Sequence, residues 1–483
     1  MRLMVGINVI ILCPAGTRLD SANPEPGIQH MNRLGEVAVS DPSIATAPLP
    51  HSEPAVPGKP LTNSWELFNE RQRWMLVFIL FLVSSSGAID RAMVSILLEP
   101  IKQEFHVSDT ALGLMTGFAF GILYAILGLP LGRYADRGDR RLLITISVGL
   151  WSILTAACGW VRAFYQLFLL RIGVGIGEAG GTGPPVMSLV ADYFPPERRA
   201  QAIGFVQMST FVGAVVGLIA GGYIAQYYGW RMTLIVSGLP GIVLAAIAWF
   251  ALREPRKLHG FPVANGEAEG LGEALRELVK KPTFVNGTLA FTAFMFLANG
   301  PLAFEAAYVI RDLHVGVAES GLASGLIDLA YIIAGNVIGG ILADRLSKRD
   351  IAWLCKVPGY GMLLIFPFYA VSHLVPTLTE YTVLSAIAGT IMFGVLPALI
   401  AALLAVVGAK RRATGYAITL MISNLVGVTF GPVVTGMLSD RIGHFYGPEQ
   451  GLRWGIIVTL LGFYPTGWFL LRAARTIRAD YEI

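Results

Sequence analysis

Two stretches of similar sequence, GRYADRGDRR at residues 132–141 and GILADRLSKR at residues 340–349, decide how the chain is organised. Gly132, Asp136 and Arg137 of the first copy align with Gly340, Asp344 and Arg345 of the second. A second echo follows in the same order, with RRAQAIG at 198–204 and RRATGYA at 411–417. An internal repeat of this kind predicts two successive halves of similar structure.

The composition indicates a membrane protein that crosses the bilayer several times. Of the 483 residues, 54% are hydrophobic and 14% are charged, and the mean hydropathy is +0.62. Soluble proteins carry about a quarter charged residues, so this chain has too few charges to cover a soluble surface. The formal net charge of +4 is small, and we expect no nucleic-acid partner.

Apolar segments of about 20 residues, the length of a helix that spans a bilayer, recur from Arg73 onward. We place twelve of them, at 74–98, 111–134, 142–161, 164–191, 201–227, 233–252, 284–309, 318–342, 351–372, 380–407, 413–438 and 454–473. The repeated stretches end the second and eighth spans, so both halves keep the same orientation and the repeat is of the parallel kind. The predicted fold is an all-α membrane protein with twelve transmembrane helices in two six-helix bundles.

The chain divides where its composition changes. Residues 1–72 are rich in Pro, Ser and Asn and lack sustained periodicity, which is typical of a disordered tail. The short apolar run after Met1 has only a thin basic flank, so we do not interpret it as a signal peptide. The predicted organisation is a cytoplasmic tail at 1–72, a six-helix bundle at 73–252, a cytoplasmic linker with a short surface helix at 253–283, a second bundle at 284–475 and a cytoplasmic tail at 476–483.

Lys and Arg residues predict the orientation of the chain. They concentrate on one side of the membrane, at Arg71 and Arg73, 133–141, 198–199, 253–281, 345–349, 410–412 and 472–478. The connectors on the opposite side hold few basic residues. By the positive-inside rule, both termini of this multi-pass protein are predicted to be cytoplasmic, in an inner or plasma membrane.

The pattern Gly-x-x-x-Asp-Arg-x-x-Arg-Arg at 132–141 resembles the signature of the major facilitator superfamily, and its Gly-x-x-x-Asp-Arg part occurs again at 340–345. The segments AIDRAMVSILLEPIKQEF at 88–105 and RIGVGIGEAGG at 171–181, with DYF at 192–194, resemble the spinster branch, as a bacterial homologue of it. This resemblance implies a carrier of lysolipids or sphingosine-1-phosphate that works by alternating access. Organic-anion and hexuronate-type members share the Asp-Arg step, so both branches stay open.

Four charges inside the predicted spans indicate a functional site. Asp90 and Arg91 lie about 13 Å from the end of the first span, and Arg171 lies about 10 Å into the fourth, at 1.5 Å per residue. Glu178 follows Arg171 on the same helix face and about 10 Å deeper. A charge that faces lipid costs about 3 kcal/mol or more, so we expect these side chains to face one another or a water-filled cavity.

These four charges support proton coupling. Glu178 is the deeper and more weakly paired acid, so it is the stronger candidate for the proton carrier, whereas Asp90 is expected to keep its charge. Arg91 and Arg171 would either pair with Glu178 or hold an anionic head group, and binding of a proton would bias the alternating equilibrium. The alternative is a fixed network of ion pairs that orients the first and fourth spans.

The repeated signature also implies a cytoplasmic gate. The carboxylate after the second span is expected to accept hydrogen bonds from the start of a neighbouring helix, and the arginines to pair with nearby acids. Such contacts hold one conformation and break in the other, although an ordinary basic loop would have the same composition. Asp139 departs from the family pattern, which prefers Gly there. The candidate gate residues are Gly132, Asp136, Arg137, Arg140 and Arg141, with Asp344 and Arg345 as a weaker second copy.

The second half offers fewer charges. Its polar candidates for the cavity are Asn299, Asp328 and Asn424, while Glu305 is expected near the outer surface. Aromatic side chains such as Phe291 either line the cavity or face lipid, and periodicity does not separate these two cases. We therefore predict a cavity that is charged on its N-terminal side and apolar on its C-terminal side, which suits an amphipathic anion.

Small residues recur in the fifth and eleventh spans. Gly213, Gly217 and Gly221 follow one another at steps of four and predict a smooth ridge, on which helices either slide or pack tightly. Pro432 is predicted to bend the eleventh span.

The expected function is secondary active transport, coupled to protons, of an amphipathic anion such as a lysophospholipid or a sphingoid phosphate. A symporter of a small organic anion is the alternative, which a polar second half would favour, and a non-transporting sensor is a remote one. Cys13, Cys158 and Cys355 lie far apart, and no His or carboxylate cluster has metal-ligand spacing, so we predict no enzyme, cofactor or metal site. The expected partners are the substrate, protons and the bilayer, and we expect a monomer.

Overall fold

The computed structural model describes residues 63–259, 271–408 and 411–481, which belong to one unit that spans 61–483. Within those ranges the chain is almost wholly helical and contains no strand. Residues 63–72, which the composition assigns to a disordered tail, form a 3-10 turn at Ser64–Leu67 and the start of the first helix. The rest of the predicted tail, including Cys13, and residues 260–270 of the predicted linker lie outside the described residues.

Helices α1 to α7 make up what we name the N-terminal half. Its first helix begins with a capping box, in which Asn69 accepts a hydrogen bond from the Gln72 backbone N–H and the Gln72 side chain accepts one from the Asn69 N–H. A π-helical stretch, Leu114–Phe118, separates α2 from α3. The helices are α1 (Glu70–Phe105), α2 (Asp109–Gly113), α3 (Ala119–Arg137), α4 (Arg140–Cys158), α5 (Phe164–Gly181), α6 (Pro184–Tyr193) and α7 (Pro196–Ala251).

Two short helices, α8 (Pro255–His259) and α9 (Leu271–Val279), lie in the predicted linker. The C-terminal half follows and again contains a π-helical stretch, Ser423–Val428, between two helices of one span. Its helices are α10 (Pro282–Asp312), α11 (Val317–Ser347), α12 (Trp353–Ser372), α13 (Leu378–Ala405), α14 (Arg412–Ile422), α15 (Thr429–Tyr446), α16 (Pro448–Leu460) and α17 (Phe463–Asp480).

Ten helical segments of the described chain are long and apolar enough to cross a membrane. One of them, Pro196–Lys257, holds two spans, because α7 breaks at Gly229, where φ is 82° and ψ is 161°. The two ends of α7 lie together, since the Tyr193 hydroxyl donates a hydrogen bond to the Arg253 carbonyl at 2.6 Å. Helices α5 and α6 together form a further membrane pass, which is not among the ten because its charged residues lower its mean hydropathy. This count is consistent with twelve spans, and the all-α membrane fold is confirmed.

The two ends of the helix assembly are named here by their connectors. The basic end is where α1 begins, and it holds the connectors 138–139 and 348–352. The far end is where α1 finishes, and it holds the connectors 106–108 and 313–316. The orientation predicted from the Lys and Arg distribution would place the basic end in the cytoplasm.

The hydrophobic core is shared between the halves toward the far end. Ile96 and Leu97 of α1 belong to the same buried cluster as Phe304 and Tyr308 of α10. At the basic end, the N-terminal half has a separate cluster that includes Tyr193 and consists of its own residues. Apolar burial therefore ties the two halves together more strongly at the far end than at the basic end.

The glycine ridge of α7 packs tightly within its own half. A Cβ at Gly213 would lie 2.6 Å from the Ser85 carbonyl oxygen, and one at Gly217 would lie 2.7 Å from that of Ile89, both on α1. Such distances leave room for hydrogen atoms alone, so these glycines permit backbone contact between α1 and α7. The geometry favours tight packing of this ridge over sliding between halves.

The two interrupted spans meet across the halves. A Cβ at Gly113 would lie 2.3 Å from the Pro432 carbonyl oxygen, and one at Gly117 would lie 2.4 Å from that of Thr429. Both spans carry a π-helical stretch beside this contact, at Leu114–Phe118 and Ser423–Val428. The eleventh span therefore departs from a regular α-helix just before its proline, and the bend at Pro432 stays a prediction.

Candidate functional site

Two ion pairs join α1 to α5, of which one is buried and the other is partly exposed. In the first, Arg171 Nη1 lies 2.8 Å from Asp90 Oδ2, and both side chains are almost wholly buried. The Thr155 hydroxyl of α4 donates a further hydrogen bond to Asp90 Oδ1 at 2.8 Å. Together with Thr155, this pair links three helices of the N-terminal half. The matching depths of Asp90 and Arg171 predicted the pairing, whereas no sequence pattern indicated Thr155.

The second ion pair joins Arg91 to Glu178, one residue further along α1 and two turns further along α5. Glu178 is 0% exposed, whereas the Arg91 side chain is 39% exposed and borders an internal cavity. Gly87 leaves the space for the carboxylate, because a Cβ there would lie 3.2 Å from Glu178 Oε2. Arg91 therefore stands between Glu178 and the cavity, and the acid lies behind it rather than in the cavity wall.

Close packing of α4 against α5 supports this arrangement. A Cβ at Gly177 would lie 3.0 Å from the Trp151 backbone nitrogen of α4. The glycine next to Glu178 thus lets another helix approach closely, as expected for small residues inside a membrane. The Arg171 and Glu178 side chains pair with α1, while α4 packs closely against the glycine beside Glu178.

The cavity lies between the two halves and has a volume of about 330 Å³. Arg91 and Arg171 border it from the N-terminal half, and Asn299, Glu305 and Asp328 border it from the C-terminal half. Most of the remaining lining is apolar. A pocket of mixed character with a few convergent polar groups is the usual form of a small-molecule site.

The C-terminal wall of the cavity is acidic, which corrects the apolar wall that the sequence predicts. Glu305 lies in this wall rather than near the surface, and it accepts hydrogen bonds from the hydroxyls of Tyr381 at 2.6 Å and Tyr369 at 3.4 Å. Asp328 accepts one from the Tyr331 hydroxyl. These tyrosines come from three helices, so only the spacing of Asp328 and Tyr331, three residues apart on α11, was visible as a sequence signal.

The other predicted residues of the second half divide between cavity and core. Asn299 borders the cavity and donates a hydrogen bond to the Met295 carbonyl oxygen at 2.8 Å. Asn424 does not border the cavity. It lies in the π-helical stretch, where its backbone carbonyl oxygen accepts a hydrogen bond from the Thr429 hydroxyl. Phe291 is buried in the core and faces neither the cavity nor the lipid.

The repeated signature makes its contacts within the N-terminal half. Arg140 is fully buried and pairs with Glu254 at 2.5 Å and Asp192 at 2.6 Å, and it also donates to the Ser188 hydroxyl. Arg141 donates to the Trp249 carbonyl oxygen. In this conformation these contacts tie α4 to α6 and to the end of α7, so they do not bridge the two halves.

The structure describes some of the remaining candidate gate residues and not others. Gly132 lies within α3 with open space beside it, whereas the side chains of Asp136 and Arg137 lie outside the described residues. Asp344 and Arg345 are exposed and form no ion pair within the described ranges. Asp139 has a local role, because it caps α4 by accepting from the Leu142 N–H at 3.0 Å.

A charged network at the far end does bridge the halves. Arg311 of α10 pairs with Glu99 of α1 at 2.7 Å and with Asp109 of α2 at 2.9 Å. Lys102 adds a contact to Asp109 at 2.7 Å, and the Ser439 hydroxyl of α15 donates to the same carboxylate. Sequence reasoning missed this network, because each member resembles an ordinary polar residue at a helix end.

Two helical halves, a cavity between them and buried charges in its wall define a membrane carrier rather than an enzyme. The sequence profile described as Major Facilitator Superfamily matches residues 80–432. The chain belongs to this superfamily of transporters. No group of three or more His, Cys, Asp or Glu side chains is placed to bind a metal ion in the described ranges.

Among similar proteins, a solved bacterial homologue of the human lysosomal transporter spinster, inward-facing and unoccupied, is 30% identical with a TM-score of 0.78, covering 86% of this chain and 100% of its own. An MFS-type efflux pump of Mycolicibacterium smegmatis is 33% identical over 79% of this chain and 88% of its own. A probable galactarate/D-glucarate transporter of Bacillus subtilis is 29% identical over 60% of this chain and 70% of its own. The protein is therefore a multi-pass, spinster-like transporter of the superfamily.

Proposed function

We propose that the chain is a proton-coupled secondary active transporter that moves an amphipathic lipid-like anion, a lysophospholipid or a sphingoid phosphate, by alternating access. The observation that carries this proposal is the pair of Arg91 and Glu178, in which an arginine at the cavity wall covers a fully buried acid. The similarity to a solved spinster homologue supports a spinster-like transporter, and the lipid substrate is the one that the resemblance of the sequence to this branch implies.

The pair supports a simple exchange of partners. While Glu178 is ionised, its buried carboxylate holds the Arg91 guanidinium in an ion pair. When Glu178 takes a proton, the attraction between the two charges is lost, and the Arg91 guanidinium can then bind a phosphate, for which it is well suited. Proton and anion binding are coupled in this way, while the Asp90–Arg171 pair keeps α1 and α5 in register.

The distribution of contacts supports an inward-facing state. Apolar burial and the Arg311 network close the far end, which the positive-inside rule places outside the cell. Both termini are then cytoplasmic. We propose that the signature at 132–141 gates the opposite, basic end and acts there in the other state, since its arginines stay within one half here. A monomer suffices for this cycle, because the cavity lies within one chain.

A symporter of a small organic anion is the second candidate. It is supported by the relative named for galactarate and D-glucarate and by the polar second wall of the cavity. The polar groups of that wall are mostly acidic, however, since Glu305 and Asp328 border it. Two carboxylates would repel a small dianion that lies between both walls, whereas an amphipathic anion can place its head group at Arg91 and its chain along the apolar lining.

The test is uptake of a labelled lysophospholipid into proteoliposomes, with and without an imposed pH gradient. The wild type is expected to respond to the gradient, and Glu178→Gln, which keeps the shape but cannot gain or lose a proton, is expected not to respond. Glu197→Gln, which removes an exposed carboxylate at the start of α7, serves as the matched control. Uptake of a small organic anion without any lipid uptake would favour the second candidate.

A further inference from the structure

We infer that Thr155 of α4 is a positioning residue for proton coupling, because its hydroxyl keeps Asp90 ionised and thereby leaves Glu178 as the acid that takes the proton. This inference rests on the proposed function, since it explains why one of two neighbouring buried acids would carry the proton. Thr155 does not border the cavity, so it acts through Asp90 rather than on the substrate.

The Asp90 carboxylate takes its hydrogen bonds from two groups. Asp90 is 2% exposed and Thr155 is 1% exposed. The Thr155 hydroxyl donates to Asp90 Oδ1 at 2.8 Å, and Arg171 Nη1 donates to the same oxygen at 3.1 Å. The other oxygen, Oδ2, lies 2.8 Å from Arg171 Nη1 but accepts no hydrogen bond with suitable geometry from the described residues. Within those residues, the threonine supplies one of the two hydrogen bonds that this buried acid accepts.

Glu178 has fewer donors than Asp90. Its Oε2 pairs with Arg91, whereas its Oε1 is buried and accepts no hydrogen bond from any described residue. A buried charged oxygen without a donor is costly, and a bound proton removes that cost. Each acid has one arginine partner, and the Thr155 hydroxyl is an additional contact that is present at Asp90 and absent at Glu178. Glu178 is therefore the acid that is better suited to take up a proton.

Other titratable groups surround Asp90 without donating a hydrogen bond to it. They come from α1, α4, α5 and, across the cavity, from α10 and α11. These groups are Arg91, Cys158, Glu178, Glu305 and Asp328. On α7, which also packs against α1, the charged residues lie at 197–199 near the basic end and at 231 near the far end. Among the described residues, the donors to Asp90 are thus Thr155 and Arg171.

A hydroxyl donor favours the ionised form of a carboxyl group. A hydrogen bond donated to a carboxylate is charge-assisted and about twice as strong as one between neutral groups. A hydroxyl can also accept, so Thr155 could still contact a protonated Asp90, but through the weaker, neutral kind of hydrogen bond. Removal of the hydroxyl should therefore let Asp90 take up a proton at a pH about one unit higher.

Protonation of Asp90 would have a different consequence from protonation of Glu178. Arg171 would lose its ion pair, and α1 would lose the charged contacts that tie it to α4 and α5 at this depth. Because Thr155 keeps Asp90 ionised, the proton-dependent exchange of partners is confined to Arg91 and Glu178. The packing of α1 against α4 and α5 then stays unchanged while the proton binds and leaves.

The test follows protonation of each acid by infrared difference spectroscopy of the carboxylic C=O band, on protein in nanodiscs, as the pH is lowered. In the wild type, one band is expected to appear at the higher pH and to be missing in Glu178→Gln. A second band is expected at a lower pH and is missing in Asp90→Asn. In Thr155→Val, which keeps the shape of the side chain, the Asp90 band is expected to appear at a pH about one unit higher.

Two further variants keep the test specific. Thr155→Ser keeps the hydroxyl, so the Asp90 band is expected at its wild-type pH. Thr145→Val removes another buried hydroxyl of α4, which makes no hydrogen bond within the described residues, and it is expected to leave the band in place.

Three outcomes would overturn the inference. The first is an Asp90 band that Thr155→Val does not move, and the second is a band that Thr155→Ser moves as far as Thr155→Val does. The third needs no Thr155 variant and stays available if Thr155→Val fails to fold. It is a wild-type Asp90 that takes up its proton at the same pH as Glu178 or at a higher one.

The same spectra separate failure of the inference from failure of the proposed function. If Glu178→Gln removes no band, the proposed proton carrier fails, whereas the pH of the Asp90 band in Thr155→Val still tests the effect of Thr155 on Asp90. If Glu178→Gln removes its band but Thr155→Val leaves that of Asp90 in place, the proposed proton carrier stands and the inference fails.

Discussion

Behind the N-terminal wall of the central cavity, buried carboxylates pair with the arginines of that wall, whereas the carboxylates of the C-terminal wall accept hydrogen bonds from tyrosines. Asp90 and Glu178 each lie against a guanidinium group. Glu305 and Asp328 are nearly as deeply buried but receive hydroxyl donors. Burial is therefore similar on both walls, and the identity of the partner makes them different.

The two kinds of partner give the carboxylates on the two sides of the cavity different properties. A carboxylate in an ion pair is neutralised by the protein itself, and a change in its protonation releases the partner. A carboxylate that accepts hydrogen bonds from neutral hydroxyls has no ionic partner to release. The first arrangement supports the proposed coupling to protons, whereas the second places neutral hydrogen-bond donors beside the acids of the C-terminal wall.

The largest expected effect comes from breaking an ion pair of the N-terminal wall. Arg171→Met leaves Asp90 buried beside Thr155 alone, and removal of one partner of a buried pair costs about 3–5 kcal/mol. The free energy of unfolding measured by steric trapping in bicelles should fall by this amount. The double variant Asp90→Asn/Arg171→Met should recover most of it, and a single variant as stable as the wild type would contradict the role of the pair.

The next effect concerns the contact between the halves. Arg311→Gln removes the cation that joins Glu99 and Asp109 at the far end. Loss of a charge-assisted contact of about 2 kcal/mol shifts the equilibrium between the two states by roughly 30-fold. Single-molecule FRET between dyes on the far ends of the two halves should report more open molecules.

Arg231→Gln is the matched control for the far-end variant. Arg231 also lies at the far end and pairs with Glu104 at 2.5 Å, but both residues belong to the N-terminal half. Removal of this pair should leave the FRET distribution unchanged. If both variants opened the far end equally, the Arg311 network would have no special part in holding the halves together.

A smaller effect is expected on the tyrosine side of the comparison. Tyr331→Phe removes one hydroxyl donor from Asp328, and loss of a single hydrogen bond of this kind costs about 1 kcal/mol. The same steric-trapping measurement should therefore place this variant well above Arg171→Met in stability. Tyr360→Phe, at an exposed position of α12, should show no change. A loss in the free energy of unfolding as large as that of Arg171→Met would contradict the distinction between the two walls.

The smallest effect lies outside the cavity, at the basic end. The Arg478 guanidinium and the Ala352 N–H hydrogen-bond to Asp350 and lower the pKa of this surface carboxyl to about 2. A lowered pKa gives stability that is present above the unfolded value of about 4 and is lost as the pH falls toward 2. Asp350→Asn should lower the Tm at pH 7 by at most about 2 °C. The two Tm curves should converge below pH 3, and a constant offset there would contradict this account.

Some of the site could be predicted because it depends on position along a helix. The depths of Asp90 and Arg171 and the seven-residue step to Glu178 follow from the helical rise, so the pairing of α1 with α5 was foreseeable. The acidic wall was not foreseeable in the same way. Its tyrosines approach Glu305 from α12 and α13, and sequence distance says nothing about which helices become neighbours.

The amino-acid sequence alone determined the all-α membrane class, the two-part repeat and the buried charges of the first half, because hydropathy and helical period are local properties of the chain. Which groups face the cavity, and which partner each charge takes, depends on the tertiary structure. It placed Glu178 behind Arg91, moved Glu305 from the expected surface into the cavity wall, and kept Arg140 within one half. These outcomes depend on how helices from distant parts of the chain pack, and a charge in a membrane is governed by its neighbours in space.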